Sequence, residues 1–505
     1  MKNINVPSNW DIEADVVIVG AGGAGMSAAI ESAKAGDKVV VLEVAQTAGG
    51  STTLCGGAIY LGGGTALQKE CGLEDSVENM YNYLSAAMGH SADKDKIKLY
   101  CEKSVETYDW LVSLGVPFKP TYTEDKVIIC YDDTGLYYTG NETNYPYNTF
   151  ANPVPRSHQV AGIASTGNVL FEHLLKAGEA AGVTVIYQAE ATDLMIENEQ
   201  IVGVRAVIEE AEKFVRASKA VVLCAGGFQA NNEMLAMYAH PFVGLQIYTG
   251  TEFDLGTGIK MGMAVGASLR GMSNCVDWSF IYPPQSKCKG IIVNANGQRF
   301  IDESQYGAYI GTAIIKNQDG KAYLILDSKV LAEGKRDVAK MCEHEVILGI
   351  AKAAGIEPEI LAGDMTMCAE APTIRELAEK LKMDPDVLEN TVAFYNKGAS
   401  KGEDHLFRKD GKYVTLLDSP PYYAANLCLD AAHYLHHGFI TMGGLETDLK
   451  SRVLDLNRNP IPRLYAAGRN TSGVQGEHYN SGTSVADAII FGRIAGQNAS
   501  AEPKK

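Results

Sequence analysis

The sequence predicts an α/β fold in which a parallel sheet is interrupted by an inserted α+β block. Three observations carry this. An apolar strand, a glycine-rich turn, a helix, a second strand and an acid follow one another within about thirty residues near the start. Apolar strands ending in glycine return at Lys219-Ala-Val-Val-Leu-Cys-Ala-Gly-Gly-Phe228 and Pro462-Arg-Leu-Tyr-Ala-Ala-Gly-Arg469. Between them, from about residue 272 to 420, the texture changes to an Asn-Gly hairpin signature and capped helical segments. The expected organisation is therefore 1–271, an inserted 272–420, and a returning 421–505 that completes the first domain.

The first element is Val16 to Val19, four apolar residues in a row, as a strand covered on both faces requires. Gly20, Gly22 and Gly25 form G-x-G-x-x-G and run into Met26 to Ala35, a stretch of helix formers closed by Gly36. Gly23 and Ala24 lie inside that turn. The first two glycines permit a sharp turn and a close approach to a pyrophosphate, and the third lets helix pack on strand. The helix start offers free N–H groups and partial positive charge to the phosphates. Val39 to Leu42 is the second strand, and Glu43 at its end can accept both hydroxyls of an adenosine ribose. Strand, glycines, helix, strand and acid together point to a Rossmann-like dinucleotide site; the alternative is an ordinary glycine-rich turn.

Composition narrows the function class. The chain has 505 residues, 46% hydrophobic and 21% charged, as in a globular protein of more than one domain. Its net charge of −17 argues against nucleic acid or an anionic membrane as partner. No apolar run reaches the roughly 18 residues of a membrane span. The ten cysteines are scattered without C-x-x-C. With no basic region and apolar core at the start, a reducing, cytoplasmic setting with free thiols is expected.

Residues 45–64 are rich in small residues but carry Leu54, Ile59 and Tyr60, which suits close backbone approach to a flat cofactor better than a linker. Helical spacing runs from Ser76 to Leu114, and residues 116–150 read as loops or a β-excursion. A helix over Thr166 to Gly182 leads to a strand at Val183–Tyr187 and a short meander through Ala189 and Ile201. In the inserted block, Gly290 to Glu303 reads as a hairpin, and helices are expected at 327–352 and 373–398, the second with Thr373 as N-cap and Glu376 in capping-box register. Ser484 to Gly496 reads as a closing helix.

These pieces resemble the fumarate reductase/succinate dehydrogenase flavoprotein superfamily. The matching stretches are Gly20–Glu43, Gly49-Gly-Ser-Thr-Thr53, Ala225-Gly-Gly227, Asn296-Gly-Gln-Arg-Phe-Ile-Asp-Glu303, Thr441-Met-Gly-Gly-Leu445 and Leu464-Tyr-Ala-Ala-Gly468, in order over nearly the whole chain. The resemblance implies a Rossmann-like FAD-binding domain interrupted by a capping, catalytic domain, with the active site between the two against the flavin. It implies that Gly20, Gly22, Gly23, Ala24, Gly25, Glu43, Gly49, Gly50, Ser51, Thr53, Gly56, Gly57 and Gly226 line the FAD. Gly468 and the turn at Thr483–Val485, including Ser484 and Val485, would close on the ribityl chain and ring.

Fumarate reductases carry an Arg shortly after the R-F-x-N/D-E motif, a His before T-M-G-G and a second Arg in the last glycine-rich loop. Here the first region reads Glu303-Ser-Gln-Tyr306-Gly-Ala-Tyr309, the His position is Ile440, and the last loop holds Tyr479. A dicarboxylate has lost its clamp. The replacements resemble the 3-ketosteroid dehydrogenase branch, especially its Δ4-(5α) type, in which a Tyr after the first motif and a Tyr-x-Ser in the last loop form the site. Tyr306, Tyr479 and Ser481 match those positions. His436 and His437 depart from the pattern and read as surface or supporting residues rather than metal ligands; no metal is expected.

The implied reaction introduces or reduces the C4–C5 double bond of a 3-ketosteroid or 3-oxo bile acid. A neutral phenol suits polarisation of the ketone because it donates without a buried charge. Tyr479 is expected to hold the 3-keto oxygen, Ser481 and Tyr306 to relay the C4 proton, and flavin N5 to exchange hydride with C5. Tyr306 and Tyr479 could exchange roles, and Tyr309 is the rival for Tyr306. No second G-x-G-x-x-G marks a nicotinamide site, so a separate electron donor or acceptor is expected. The alternatives are an ene-reductase for a non-steroid conjugated acid, a Δ1-dehydrogenase, or a pure electron carrier.

Overall fold

A computed structural model describes residues 6–127, 130–132, 134–162, 165–245, 249–279, 281–363, 365–429 and 437–505, without the side chains of 353, 354 and 437. His436 and the side chain of His437 thus lie outside the described residues. The chain divides into two compact units: unit 1 is 1–139, 154–275 and 440–505, and unit 2 is 140–153 and 276–439. The inserted block expected at 272–420 thus begins at 276, extends to 439 and takes in the remote segment 140–153. The stretch just past 420 is held there because Tyr422–Asn426 pairs with strands of the insertion.

Unit 1 opens with β1 (Ile12–Val19), helix α1 (Gly23–Lys34) and β2 (Val39–Leu42). A short helix α2 (Gly50–Leu54) follows the next turn, and α3 (Val77–Ala87) and α4 (Lys94–Ser113) split the predicted 76–114 helical region in two. Asp93 causes the second start, its carboxylate accepting from the amides of Asp95 and Lys96. Helix α5 (Gly167–Ala180) leads into β3 (Thr184–Ile186), and the meander is β4 (Ala189–Glu197), β5 (Gln200–Ile208) and β6 (Ala211–Leu223).

In unit 2, a four-stranded antiparallel sheet is built from β7 (Ile291–Asn294), β8 (Ala322–Asp327), β9 (Ala369–Ala371) and β10 (Tyr422–Asn426), in the order β7-β8-β10-β9. The hairpin expected at 290–303 shrinks to a single bridge, Val293 with Arg299, while β7 pairs along its whole length with β8. Helix α6 (Gly307–Asn317) precedes β8. The helix expected at 327–352 is two, α7 (Ser328–Cys342) and α8 (Glu345–Ala354), the second capped by His344. The 373–398 helix is likewise α9 (Ile374–Leu381) and α10 (Pro385–Ala399). Lys382 turns left-handed at φ 58°, and Asp384 caps a new helix with Pro385 in its first turn. The Thr373 cap forms as read, its hydroxyl accepting from the Glu376 amide.

Unit 1 resumes with β11 (Arg452–Leu454), β12 (Pro460–Ala466) and the long helix α11 (Thr483–Ser500). The main sheet runs β11-β12-β6-β1-β2-β3, with β5 attached to β6 and β4 to β5. The β12, β6, β1, β2 and β3 strands are parallel neighbours. Val16 to Ile18 are fully buried, as the unbroken apolar run requires. A Cβ at Gly492 or Gly496 would sit 2.4 or 2.3 Å from the Ala24 or Ala28 carbonyl oxygen, so these glycines let α11 pack directly on α1.

Candidate functional site

The glycine turn divides its labour. Gly20 has φ +98°, and a Cβ there would lie 2.6 Å from the Cys224 carbonyl oxygen; at Gly25 it would lie 1.9 Å from the Gly20 oxygen. Both glycines are demanded by packing. Gly22 is different: a Cβ there meets nothing nearer than the Gly49 oxygen at 3.8 Å. Open space over Gly22, beside the Gly22–Gly49 bridge and the start of α1, fits a bound pyrophosphate. Glu43, buried at the end of β2, accepts from the Ala21 amide at 2.7 Å and from the Ala45 amide at 2.9 Å. Each carboxylate oxygen keeps a lone pair for a ribose hydroxyl.

The other expected cofactor residues gather in the same unit. Gly23 and Ala24 begin α1, where the Gly23 amide donates to Thr52 Oγ1. Gly49 and Gly50 open α2, which carries Ser51 and Thr53. The Gly56 carbonyl accepts from Gln159 Nε2, and Gly57 has φ +86°. Gly468 packs on Ala24, while Ser484 and Val485 lie in the first turn of α11.

Gly226 leads to residues that sequence reasoning missed. Asp254, 3% exposed, accepts from Ser51 Oγ at 2.8 Å, from Gln229 Nε2 at 2.6 Å and from Arg469 at 2.9 Å. Arg469 also donates to Ser51 Oγ. This network ties the Gly49–Gly50 turn to the glycine after β12. Its members are far apart in sequence, so no local pattern announces them.

Tyr479 is 4% exposed, and its hydroxyl lies 3.0 Å from Ser484 Oγ. Burial raises its pKa, while the Ser484 hydroxyl and amide pull in the opposite direction. One of its partners is thus a serine that the sequence assigned to the cofactor. Ser481 is anchored by backbone: its amide donates to the Thr139 carbonyl, and its carbonyl accepts from Thr139 Oγ1. Between them, Asn480 donates to the Tyr83 hydroxyl at 2.9 Å, and the Gly482 carbonyl accepts from the Tyr60 amide.

Tyr306 belongs to unit 2, fully buried, as the N-cap residue of α6. Its amide donates to Asn141 Oδ1 at 2.6 Å, and Asn144 Nδ2 donates to Asp302 and Ser304. Those asparagines explain why 140–153 joins this unit. Just upstream, Glu303 takes Arg299 at 2.7 Å and Lys409 at 2.9 Å, and Arg299 also reaches Asp404 at 2.9 Å. Tyr309, the rival, stacks edge-on with Tyr147 at 5.9 Å.

Known proteins fit this geometry. The FAD binding domain family matches residues 15–485. A crystal structure of 3-ketosteroid-Δ4-(5α)-dehydrogenase from Rhodococcus jostii RHA1, in complex with 4-androstene-3,17-dione, superposes with a TM-score of 0.88 at 37% identity over 98% of both chains. The 3-oxo-5-alpha-steroid 4-dehydrogenase of Comamonas testosteroni is 27% identical over 91% of this chain and 93% of its own. The NADH:fumarate oxidoreductase of Klebsiella pneumoniae (strain 342) is also 27% identical, but the chain spans only 47% of that protein's length. Among the described residues no helix is long and apolar enough to cross a membrane. The chain belongs to the FAD binding domain family and is an FAD-dependent oxidoreductase of the steroid dehydrogenase/fumarate reductase family.

Proposed function

We propose that the chain introduces or reduces the C4–C5 double bond of a 3-ketosteroid or a 3-oxo bile acid. The observation that carries this is the 37% identity over 98% of both chains to the Rhodococcus enzyme, seen with a Δ4-3-ketosteroid. The site chemistry supports it. Tyr479 is buried yet offers a neutral O–H, suited to a ketone oxygen and ill-suited to clamping a dianion. Bound FAD supplies the hydride exchange with C5.

Tyr479 holds the 3-keto oxygen, which acidifies the C4 hydrogens. Ser481 and Tyr306 pass the C4 proton to or from solvent. The residues expected to line the FAD keep that assignment: Gly20, Gly22, Gly23, Ala24, Gly25, Glu43, Gly49, Gly50, Ser51, Thr53, Gly56, Gly57, Gly226, Gly468, Ser484 and Val485. Electrons come from or go to a separate cytoplasmic partner.

The test is anaerobic flavin spectroscopy on wild type and Tyr479→Phe. A saturated 5α-3-ketosteroid should bleach the oxidised protein, and the Δ4-enone should recolour the reduced one. The variant should be slower by about a hundredfold or more. No response to either steroid, with recolouring by fumarate, urocanate or a cinnamate, would replace this reading with the conjugated-acid one.

A further inference from the structure

Resting on that reading, we propose that Arg408, stacked on Tyr145, binds a carboxylate at the far end of the steroid. The substrate class is then a 3-ketosteroid with an acidic side chain, a 3-oxo bile acid, rather than a neutral steroid.

Arg408 is exposed, and its guanidinium carbon lies 4.4 Å from the centroid of the Tyr145 ring, itself 40% exposed. The residues on either side of it are held inside unit 2. The Phe407 ring lies 5.1 Å from the Arg299 guanidinium. Lys409 is buried, with Nζ donating to the Cys288 and Gly290 carbonyls at 3.0 and 2.7 Å. The Arg408 amide donates to the Asp404 carbonyl at 3.1 Å. Between these anchors the chain turns left-handed, with Arg408 at φ 53°. Glycine or asparagine suits that conformation, and an arginine there is strained. Strain held in place by its surroundings points to a use for the side chain that bears it.

The tyrosine beneath it is firmly placed as well. Asn144 Nδ2 donates to Asp302 Oδ2 and to Ser304 Oγ, both at 2.9 Å, and the Asn148 amide donates to the Asn144 carbonyl. The guanidinium therefore rests on an aromatic face whose backbone is fixed on both sides. Stacking occupies the face of the guanidinium and leaves its N–H edge for an anion. Among the described residues no carboxylate pairs with Arg408, although the chain holds 61 acids against 44 Lys and Arg. The nearby Arg299 and Lys409 are both ion-paired.

An aromatic run leads from this cation to the tyrosines proposed for the chemistry. Tyr145 is two residues before Tyr147, whose ring lies 5.9 Å from that of Tyr309, and the Tyr309 amide donates to the Tyr306 carbonyl. Unit 2 thus carries phenols at one end of the run and a stacked cation at the other. A 3-oxo bile acid has the matching order: a neutral ketone, a rigid apolar body and a terminal carboxylate. Guanidinium and carboxylate pair edge to edge through two hydrogen bonds, and a neutral steroid leaves that edge unused.

The test uses the FAD-loaded protein, reduced anaerobically, and follows its recolouring by three Δ4-3-ketones. These are 3-oxo-Δ4-cholenoic acid, its methyl ester and 4-androstene-3,17-dione. Rate against concentration gives the half-saturating concentration of each. In wild type the acid should half-saturate at a concentration at least about tenfold below the ester. Arg408→Gly removes the guanidinium and suits the left-handed turn, so its FAD content and melting temperature should match wild type. In that variant the acid and the ester should half-saturate within about twofold of each other.

The proposal is overturned if wild type takes the acid no more tightly than the ester, or if Arg408→Gly keeps the difference. A wild type that none of the three ketones recolours sinks the steroid reading and this inference with it. Recolouring by the ester and by 4-androstene-3,17-dione without a preference for the acid overturns this inference alone.

Discussion

The two tyrosines are braced in opposite ways. Tyr306 follows Glu303, whose carboxylate is fully buried and matched by Arg299 and Lys409, with Asp404 completing the set. Two cations face two anions, and the acids respond accordingly: burial opposes but the cations prevail, so Glu303 is lowered and Asp404 falls to about 2. Tyr479 instead meets a neutral hydroxyl, Ser484 Oγ, in the first turn of α11. The acid in the helix that follows, Asp487 in α11, is buried and faces Lys96, whose Nζ donates to Thr447 Oγ1 and the Ser472 carbonyl. Burial outweighs the lysine, and Asp487 rises to about 7. One cluster fixes a backbone regardless of pH near neutrality; the other carries a charge that pH can set.

The largest effect should come from unbalancing the first cluster. Glu303→Gln leaves two buried cations facing one anion and should cost about 3–5 kcal/mol of unfolding free energy in urea denaturation. Adding Lys409→Met restores the balance around the Arg299–Asp404 pair and should recover more than half of that loss. A double variant no more stable than Glu303→Gln would mean that shape, not charge balance, holds the turn before Tyr306.

The second effect is a contrast in pH dependence. A group whose folded pKa is lowered adds stability above its unfolded value, and that stability is lost as pH falls through the folded value. Asp404 should therefore weaken unit 2 between about pH 4 and about pH 2. Asp487 has the opposite sign. Its folded state holds the extra proton, so stability is fully present below about pH 4 and is lost as pH rises toward about 7. The slope attributable to one such group is about 1.4 kcal/mol per pH unit at most. Hydrogen exchange of α11 peptides between pH 5 and 8 should show protection falling with pH in wild type and nearly level in Asp487→Asn. A wild type already level would show that Lys96 holds Asp487 ionised throughout.

What was legible in the sequence was local. Gly20, Gly25 and Glu43 follow from the geometry of one turn, and the apolar run before them could only be a covered strand. The break at Asp384-Pro385 was missed, because helical spacing on both sides reads as one helix over 373–398. Other features depend on distant partners. Nothing near Asp254 announces Arg469, and nothing in 140–153 announces that Asn141 will receive the Tyr306 amide. The Tyr479–Ser484 bond spans only five residues, yet spacing could not reveal it, because the chain turns left-handed at Gly482 between them.

The smallest effect tests what holds the last loop. Tyr83→Phe removes the acceptor of Asn480 Nδ2 and leaves Tyr479 and Ser484 untouched. Asn480 is fully buried, so its amide cannot turn to water, and the variant should lose about 1 kcal/mol of stability. The loop keeps its remaining anchors, the Thr139 bonds to Ser481 and the Tyr60 amide on Gly482. The phenol should then stay in place beside Ser484 Oγ, and the Δ4-enone should recolour the reduced variant at close to the wild-type rate. If Tyr83→Phe slows that recolouring as much as Tyr479→Phe does, the Asn480 bond to Tyr83 is what holds the loop in its working position. Tyr479 would then depend on a long-range brace after all, as Tyr306 does on Glu303.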